Sequence, residues 1–211
     1  MVNAGGAWVD EIIRDRSQSN SPTHIRLVRG SHVVVRRIFE HDRAYIFQNE
    51  DERVLFAIPY EEDFTLIGTT DVDNEGSPAA PQCSANEAAY LVDAASRYLS
   101  NPISLDDIVW TYAGVRPLHD DAASSASVAT RDYVLHVEDV DGLVPLLNVF
   151  GGKITTYRSL AESALAKLTT YFPTMGPPWT ADAALPGGAL PVDGVAALVA
   201  DEIMPKVNEG L

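Results

Sequence analysis

The stretch Leu146-Leu147-Asn148-Val149-Phe150-Gly151-Gly152-Lys153-Ile154-Thr155-Thr156-Tyr157-Arg158 decides how this chain is read. The short apolar run from Leu143 to Phe150 predicts a buried strand. Gly151 and Gly152 break it. From Thr155 onward Leu160, Ala164, Leu165 and Leu168 recur at helical spacing, with Arg158, Glu162 and Lys167 between them. Strand, glycine turn and helix together aim the N–H groups of a helix N-terminus at whatever lies before the turn. Such an end favours anions and electron-rich ring oxygens, and Lys153 adds a full charge. The pattern is not a P-loop, which needs a Gly four residues ahead of the Gly-Lys pair and a Ser or Thr after it; Leu147 and Ile154 stand there. A bare Gly-Gly-Lys is more often a ligand-free connection, so the rest of the chain has to decide.

With 211 residues there is enough chain for one sizeable core, or for a domain and part of another. An apolar fraction of 46% and a charged fraction of 21% place it among soluble globular proteins. No apolar run is long enough to cross a bilayer, and the first twenty residues contain no signal-peptide core. The single cysteine, Cys83, excludes an internal disulfide framework and fits a reducing compartment. One cysteine with five histidines also argues against zinc, and no metal is expected. A net charge of −15 opposes general affinity for nucleic acid or anionic membrane. Twelve of the fifteen basic residues are Arg, whose planar guanidinium suits phosphate and carboxylate, although a high-GC genome has the same effect on composition. An anionic substrate would need a local cationic pocket on so acidic a protein.

In order, Trp8 to Arg14 predicts a helix and Ser17 to Thr23 a connection. Ile25 to Ile38 predicts a strand with a break at Gly30-Ser31-His32. Ala44–Gln48, Val54–Pro59 and Thr65–Gly68 complete an antiparallel meander. Asp71 to Cys83 is turn-rich. Asn86 to Tyr98 predicts a helix capped by Ser84 or Asn86. Ile108 to Leu118 is a strand ending at Arg116-Pro117, and Asp120 to Ser127 a loop. Tyr133 to Val137 then pairs with the next strand through a turn at Asp139 to Gly142. Pro173 to Gly188 reads as loop, and Val195 to Val207 as the start of another helix.

Several segments, in this order, resemble the FAD-dependent glycerol-3-phosphate dehydrogenases of the aerobic bacterial type. They are Val2-Asn3-Ala4-Gly5-Gly6-Ala7-Trp8, Arg29-Gly30-Ser31-His32, Ile67-Gly68-Thr69-Thr70-Asp71 and Asp106 to Leu118, followed by Thr130-Arg131-Asp132-Tyr133, Phe150 to Arg158 and Leu185-Pro186-Gly187-Gly188. The resemblance implies an α+β fold, the antiparallel-sheet substrate (cap) domain of a D-amino-acid-oxidase-like flavoprotein with part of its FAD-binding α/β domain. Residues 1–16 would end an FAD-domain segment, 17–142 form the substrate domain, 143–172 return to the FAD domain, and 173–211 begin a helical region. The family's Gly-x-Gly-x-x-Gly fingerprint is absent from this chain. It therefore reads as a middle-to-C-terminal fragment, inactive alone. The opening motif has Gly5-Gly6-Ala7 where the family often has Gly-Pro before the Trp.

The resemblance further implies oxidation of sn-glycerol 3-phosphate to dihydroxyacetone phosphate, with hydride passing to FAD and electrons to quinone. It implies His32, or a base from the region missing here, as catalytic base, with a hydrogen-bonded structural histidine as the plain alternative, and Arg116, Arg131 and Lys153 as substrate contacts. Gly151, Gly152, Lys153, Ile154 and Thr155 would contact the cofactor, with Asn3, Ala4 and Gly5 at the other end. Arg131 has the plain alternative of pairing with Asp132 or another acid. The parent would be a homodimer at the inner face of the cytoplasmic membrane. Two other readings stay open: an oxidase passing electrons to oxygen, and a non-catalytic binding domain. Thr69, Thr70 and Asp71 receive no chemistry in this reading. Trp110 and Tyr112 read as core, Cys83 has no activating partner, and His24, His41, His119 and His136 read as structural or surface.

Overall fold

A computed structural model describes residues 1–17, 24–120, 130–138 and 145–204. The predicted connection at 17–23, the loop at 120–127, the turn at 139–142 and the end of the last helix lie largely outside the described residues. Two compact units are present, residues 1–160 and 161–211. The first holds two sheets. In one, β1 (Val2–Asn3) runs parallel to β9 (Leu146–Phe150), which pairs antiparallel with β8 (Val134–Glu138). All five residues of β9 are buried, four of them apolar and the fifth, Asn148, polar. β8 thus sits in the smaller sheet, paired with β9, although the boundary expected at residue 142 grouped it with the larger.

The larger sheet is built on β2 (Ile25–Arg36). One edge of β2 pairs antiparallel with β7 (Ile108–His119) along nearly its whole length. Its other edge is shared by β5 (Phe64–Gly68) and the two-residue β6 (Val72–Asp73). β4 (Val54–Tyr60) and β3 (Tyr45–Gln48) complete the order β3-β4-β5-β2-β6, with β7 beside β2. β2 does not break at Gly30: its ladder with β7 is continuous and shifts register only between Val34 and Val35. β6 falls in the segment read as loop, too short to show a period.

Alternation along the strands gives this sheet two faces. Val33, Val35, Leu55, Ala57 and Ile67 point to α2 (Ala85–Ser96) and pack with Ala88, Leu91, Ala94 and Ala95. That helical stripe covers one face. Among the described residues the opposite face stays open and carries Ile46, Phe56, Ile58 and Trp110, the last 56% exposed. Trp110 and Tyr112, expected in the core, lie on this open face; alternation separates the faces but does not say which one a helix covers. The opening helix is a 3₁₀ turn, a single α turn, α1 (Val9–Ile12), and a π turn. Val9 and Ile13 pack with Phe150, with Ile25 and Val134 beside them, which joins the two sheets.

α2 is fastened by one buried acid. Ser84 caps it in a reciprocal box with Glu87. Glu87 also accepts from Arg29 (2.8 Å), Ser31 (2.8 Å), Thr70 (2.7 Å) and the Ser84 hydroxyl (2.7 Å). Burial pushes the Glu87 pKa up, but the combined hydrogen bonds from Arg29, Ser84, Thr70 and Ser31 outweigh it and hold the carboxyl at about 2, against an ordinary 4.5. A depressed carboxyl stabilises the fold above its unfolded pKa and loses that stabilisation as pH falls through the folded value.

In the second unit the described elements are the C-terminal part of α3 (Tyr157–Leu168), turns at Thr169–Tyr171 and Thr180–Asp182, and α4 (Val195–Leu198) running into a π turn. The Thr180 hydroxyl bonds Glu162 of α3.

Substituting Glu87→Gln should destabilise the first unit by roughly 2–3 kcal/mol near pH 7. The gap from the parent chain should close as pH falls from about 4.5 toward about 2, which urea denaturation at several pH values will read.

Candidate active site

The site grows from the register of three strands. On β2, His32 stands opposite Tyr112, Gly30 opposite Gly114 and Val28 opposite Arg116, while Gly68 of β5 flanks His32 on the other side. Directly opposed residues share a face, so His32 and Arg116 both stand on the open one. Two glycines give them room. A Cβ on Gly68 would lie 2.1 Å from the His32 ring, and one on Gly30 would lie 2.1 Å from Arg116 Nη1. Any other residue at either position would displace the side chain lying across it.

The His32 ring stacks on Tyr112, with centroids 4.8 Å apart and planes 8° from parallel. Burial first, and the Arg116 charge second, hold its pKa below the ordinary 6.5. The imidazole is therefore neutral at pH 7 and able to take a proton. Its Nδ1 is buried and has no hydrogen-bond partner among the described residues.

Arg116 is held from below. Its Nη1 donates to the Thr70 carbonyl (3.3 Å) and to Asp71 Oδ1 (3.1 Å), and its Nη2 donates to Thr69 Oγ1 (3.0 Å). Arg131 Nη2 donates to the second oxygen, Asp71 Oδ2, at 3.0 Å. One carboxylate thus holds both predicted clamp arginines. The acid that Arg131 finds is Asp71 and not its neighbour Asp132. Burial lowers the Arg116 pKa, Asp71 raises it and Arg131 lowers it, but a guanidinium stays charged throughout. Thr69, Thr70 and Asp71 were the residues missed by sequence reasoning. Their run contributes to the family resemblance, but its part in holding the arginines shows only when the arginines are seen above it.

The glycine turn closes on the same place. Gly151 and Gly152 have φ of 72° and 108°. A Cβ on Gly151 would meet the Asp132 carbonyl at 3.0 Å and the Pro117 carbonyl at 3.6 Å, and one on Gly152 would meet Leu160 Cδ1 at 2.9 Å. The turn therefore lies against the end of β7 just past Arg116 and against the residue following Arg131. Lys153 follows in extended conformation and caps a 3₁₀ turn, Ile154–Thr156, that leads into α3. Lys153, Ile154 and Thr155 are exposed, Ile154 to 87%. Among the described residues the Lys153 ammonium makes no ion pair with an acid, and nothing joins it to Arg116 or Arg131.

Because β1 and β9 are parallel, with Asn3 opposite Asn148, Ala4-Gly5 and Gly151-Gly152 leave the sheet at the same carboxyl edge. Ligands of sheets of this kind bind at that edge. The Asn3 side chain is itself committed to the fold. Its amide donates to the Val9 carbonyl (3.1 Å) and Asn148 Oδ1 (2.9 Å), and its Oδ1 accepts from the Gly5 N–H (3.2 Å). Asn148 in turn donates to Glu138 at 2.9 Å. Two glycines without Cβ atoms, a helix start behind them and an exposed lysine fit the electron-rich pyrimidine edge of a flavin. Among the described residues no group of His, Cys, Asp and Glu side chains could hold a metal ion.

Replacing Gly30 by Ala should push the Arg116 guanidinium off its seat while costing the fold about 1 kcal/mol or less, since the clash is with the far end of a flexible side chain. Titration calorimetry with inorganic phosphate should then show affinity lowered by roughly tenfold or more, in line with the loss of one charge-assisted contact.

Comparison with known proteins bears on this geometry. Residues 1–157 match the FAD dependent oxidoreductase (DAO) family. The chain is 50% identical over 193 residues to the aerobic glycerol-3-phosphate dehydrogenase of Escherichia coli, covering 92% of this chain and 38% of that protein. It is 45% identical over 190 residues to the D-erythritol 1-phosphate dehydrogenase of Brucella abortus, covering 90% and 38%. The solved structure of glycerol-3-phosphate dehydrogenase from Bacillus halodurans complexed with FAD superposes with a TM-score of 0.76 at 28% identity, over 100% of this chain and 40% of that one. The chain thus spans well under half the length of the relatives it matches. Its antiparallel sheet, its strand-turn-helix corner and the family match over residues 1–157 agree: this chain belongs to the FAD dependent oxidoreductase family.

Proposed function

We propose that the protein carrying this chain oxidises sn-glycerol 3-phosphate at C2 to dihydroxyacetone phosphate. The observation that carries the reading is the cluster on the open sheet face. Arg116 and Arg131 converge on one carboxylate beside a neutral, half-buried His32, next to the Gly151-Gly152 turn. Two guanidinium groups offer the fork geometry that grips a phosphate dianion. Anchored by its phosphate, a three-carbon substrate has little freedom left, and orientation of that kind supplies much of an enzyme's rate. His32 takes the proton of the C2 hydroxyl as the hydride leaves the same carbon. FAD, when bound, supplies the hydride acceptor.

Lys153 and the N–H groups of Gly152 to Thr155 would hold the pyrimidine edge of that cofactor, with Ala4 and Gly5 at the neighbouring strand end. The chain has no Gly-x-Gly-x-x-Gly to hold a pyrophosphate, so by itself it lacks turnover in this reading. The reading extends to quinone as electron acceptor and to a homodimeric parent peripheral to the cytoplasmic membrane, on the family resemblance alone. A second substrate has specific support. The Brucella abortus relative is named for D-erythritol 1-phosphate, and an arginine clamp grips the phosphate of either compound.

The test is an anaerobic flavin spectrum of the protein expressed at the full length of its relatives. Glycerol 3-phosphate should bleach the flavin and glycerol should not; bleaching by D-erythritol 1-phosphate alone would reassign the substrate. An Arg116→Ala variant should raise KM at least roughly a hundredfold, by the loss of one buried charge-assisted grip. The pH profile of kcat/KM should be flat at pH 7 and fall only below the ordinary histidine pKa of 6.5, because His32 titrates lower and acts in its neutral form. His32→Gln should abolish that limb of the profile and slow flavin reduction by about 10²–10⁴-fold.

A further inference from the structure

We propose that Asp71 is the positioning residue of the anion clamp, holding Arg116 and Arg131 in the one arrangement that receives a phosphate; this rests on the reading of those two arginines as substrate contacts. The two side chains come from separate segments, the end of β7 and the residues before β8. Each is long, and their charges repel. Asp71 resolves both difficulties by giving one oxygen to each: Oδ1 to Arg116 at 3.1 Å and Oδ2 to Arg131 at 3.0 Å. Each guanidinium is held through a single nitrogen by this carboxylate, which leaves further N–H donors of the fork for a ligand. Asp71 is also the deepest of the three. Its side chain is 14% exposed, against 28% for Arg116 and 42% for Arg131, so an anion arriving from solvent meets cations and not the carboxylate.

The carboxylate can act as a fixed point because its backbone is fixed. Thr70, immediately before it, donates its hydroxyl to Glu87 (2.7 Å), accepts the Ser31 N–H on that hydroxyl (2.9 Å) and bonds the Ser31 carbonyl through its own N–H (3.4 Å). Thr69 and the Thr70 carbonyl hold the remaining side of Arg116. The position of the clamp is thus transmitted from Glu87 at the start of α2, through Thr70, to Asp71. The Asp71 carboxylate is committed to the two arginines, so its effect belongs in substrate affinity.

Asp71→Asn keeps the size of the side chain but turns one of its two acceptors into a donor, so it can hold only one arginine. In the full-length flavoprotein this variant should raise KM for glycerol 3-phosphate about tenfold with kcat within about twofold. In an Arg131→Ala background the same change should raise KM by less than about threefold, since half of its purpose is gone. Asp71→Glu should recover part of the loss. An unchanged or lowered KM in Asp71→Asn would overturn the proposal, because it would mean that the carboxylate merely competes with the substrate for the arginines. An equal KM rise in both backgrounds, or a fall in kcat together with loss of bound flavin, would also overturn it by showing a purely structural role. Titrating the same variants with inorganic phosphate separates this inference from the proposed reaction. Phosphate affinity should follow the same pattern even where glycerol 3-phosphate fails to bleach the flavin, and a pattern independent of Asp71 would sink the inference by itself.

Discussion

A carboxylate taken almost entirely out of water organises the larger part of this molecule. Glu87 is 5% exposed, and an uncompensated charge at that depth would cost several kcal/mol. It is compensated by Arg29 and Ser31 from β2, Thr70 from the segment after β5, and Ser84 at the helix cap. One group therefore sets the N-terminus of α2 against the sheet and fixes the turn that follows β5. Hydrophobic packing of Leu91, Ala94 and Ala95 on Val33, Val35 and Ile67 then follows in a single register. Apolar contact alone tolerates sliding, whereas these directed hydrogen bonds do not.

The candidate site lies on the other face of the same sheet, and the two faces communicate through backbone. Thr70 bonds Glu87 with its hydroxyl and Arg116 with its carbonyl. A polar network that stabilises the fold on one side thus becomes a support for cations on the other. Glycine serves the same purpose by subtraction. Gly30 and Gly68 lie within strands, and their missing Cβ atoms are the space in which Arg116 and His32 lie. Precise placement of site groups by strands, with partners beneath them, is what a reaction needs from its protein scaffold.

Charge balance follows the same economy. The chain carries a net charge of −15, so a phosphate approaching it feels repulsion at long range that is screened within a Debye length of about 8 Å at physiological ionic strength. At contact the local sum is two guanidinium groups against one carboxylate. Burial and the neighbouring guanidinium also keep His32 neutral, so the proposed anion clamp and the proposed base share one sheet face.

Much of this was legible in the order of residues. The apolar run before Gly151 and the helical spacing after it predicted β9 and α3, because period and glycine punctuation are local properties. The meander, the Ser84 cap and the family resemblance were local in the same sense. Sequence could not tell that Trp110 faces outward or that Asn3 spends its amide on Val9 and Asn148, because burial depends on what packs against a strand and not on the strand. Nor could it single out Thr69, Thr70 and Asp71, whose meaning appears only when β2 and β7 carry Arg116 across the sheet to them and the 130–133 segment brings Arg131 to the same carboxylate. Local chemistry and periodicity were set by the chain itself. Which distant groups meet was decided by strand register and by the satisfaction of buried charge, both properties of the folded whole.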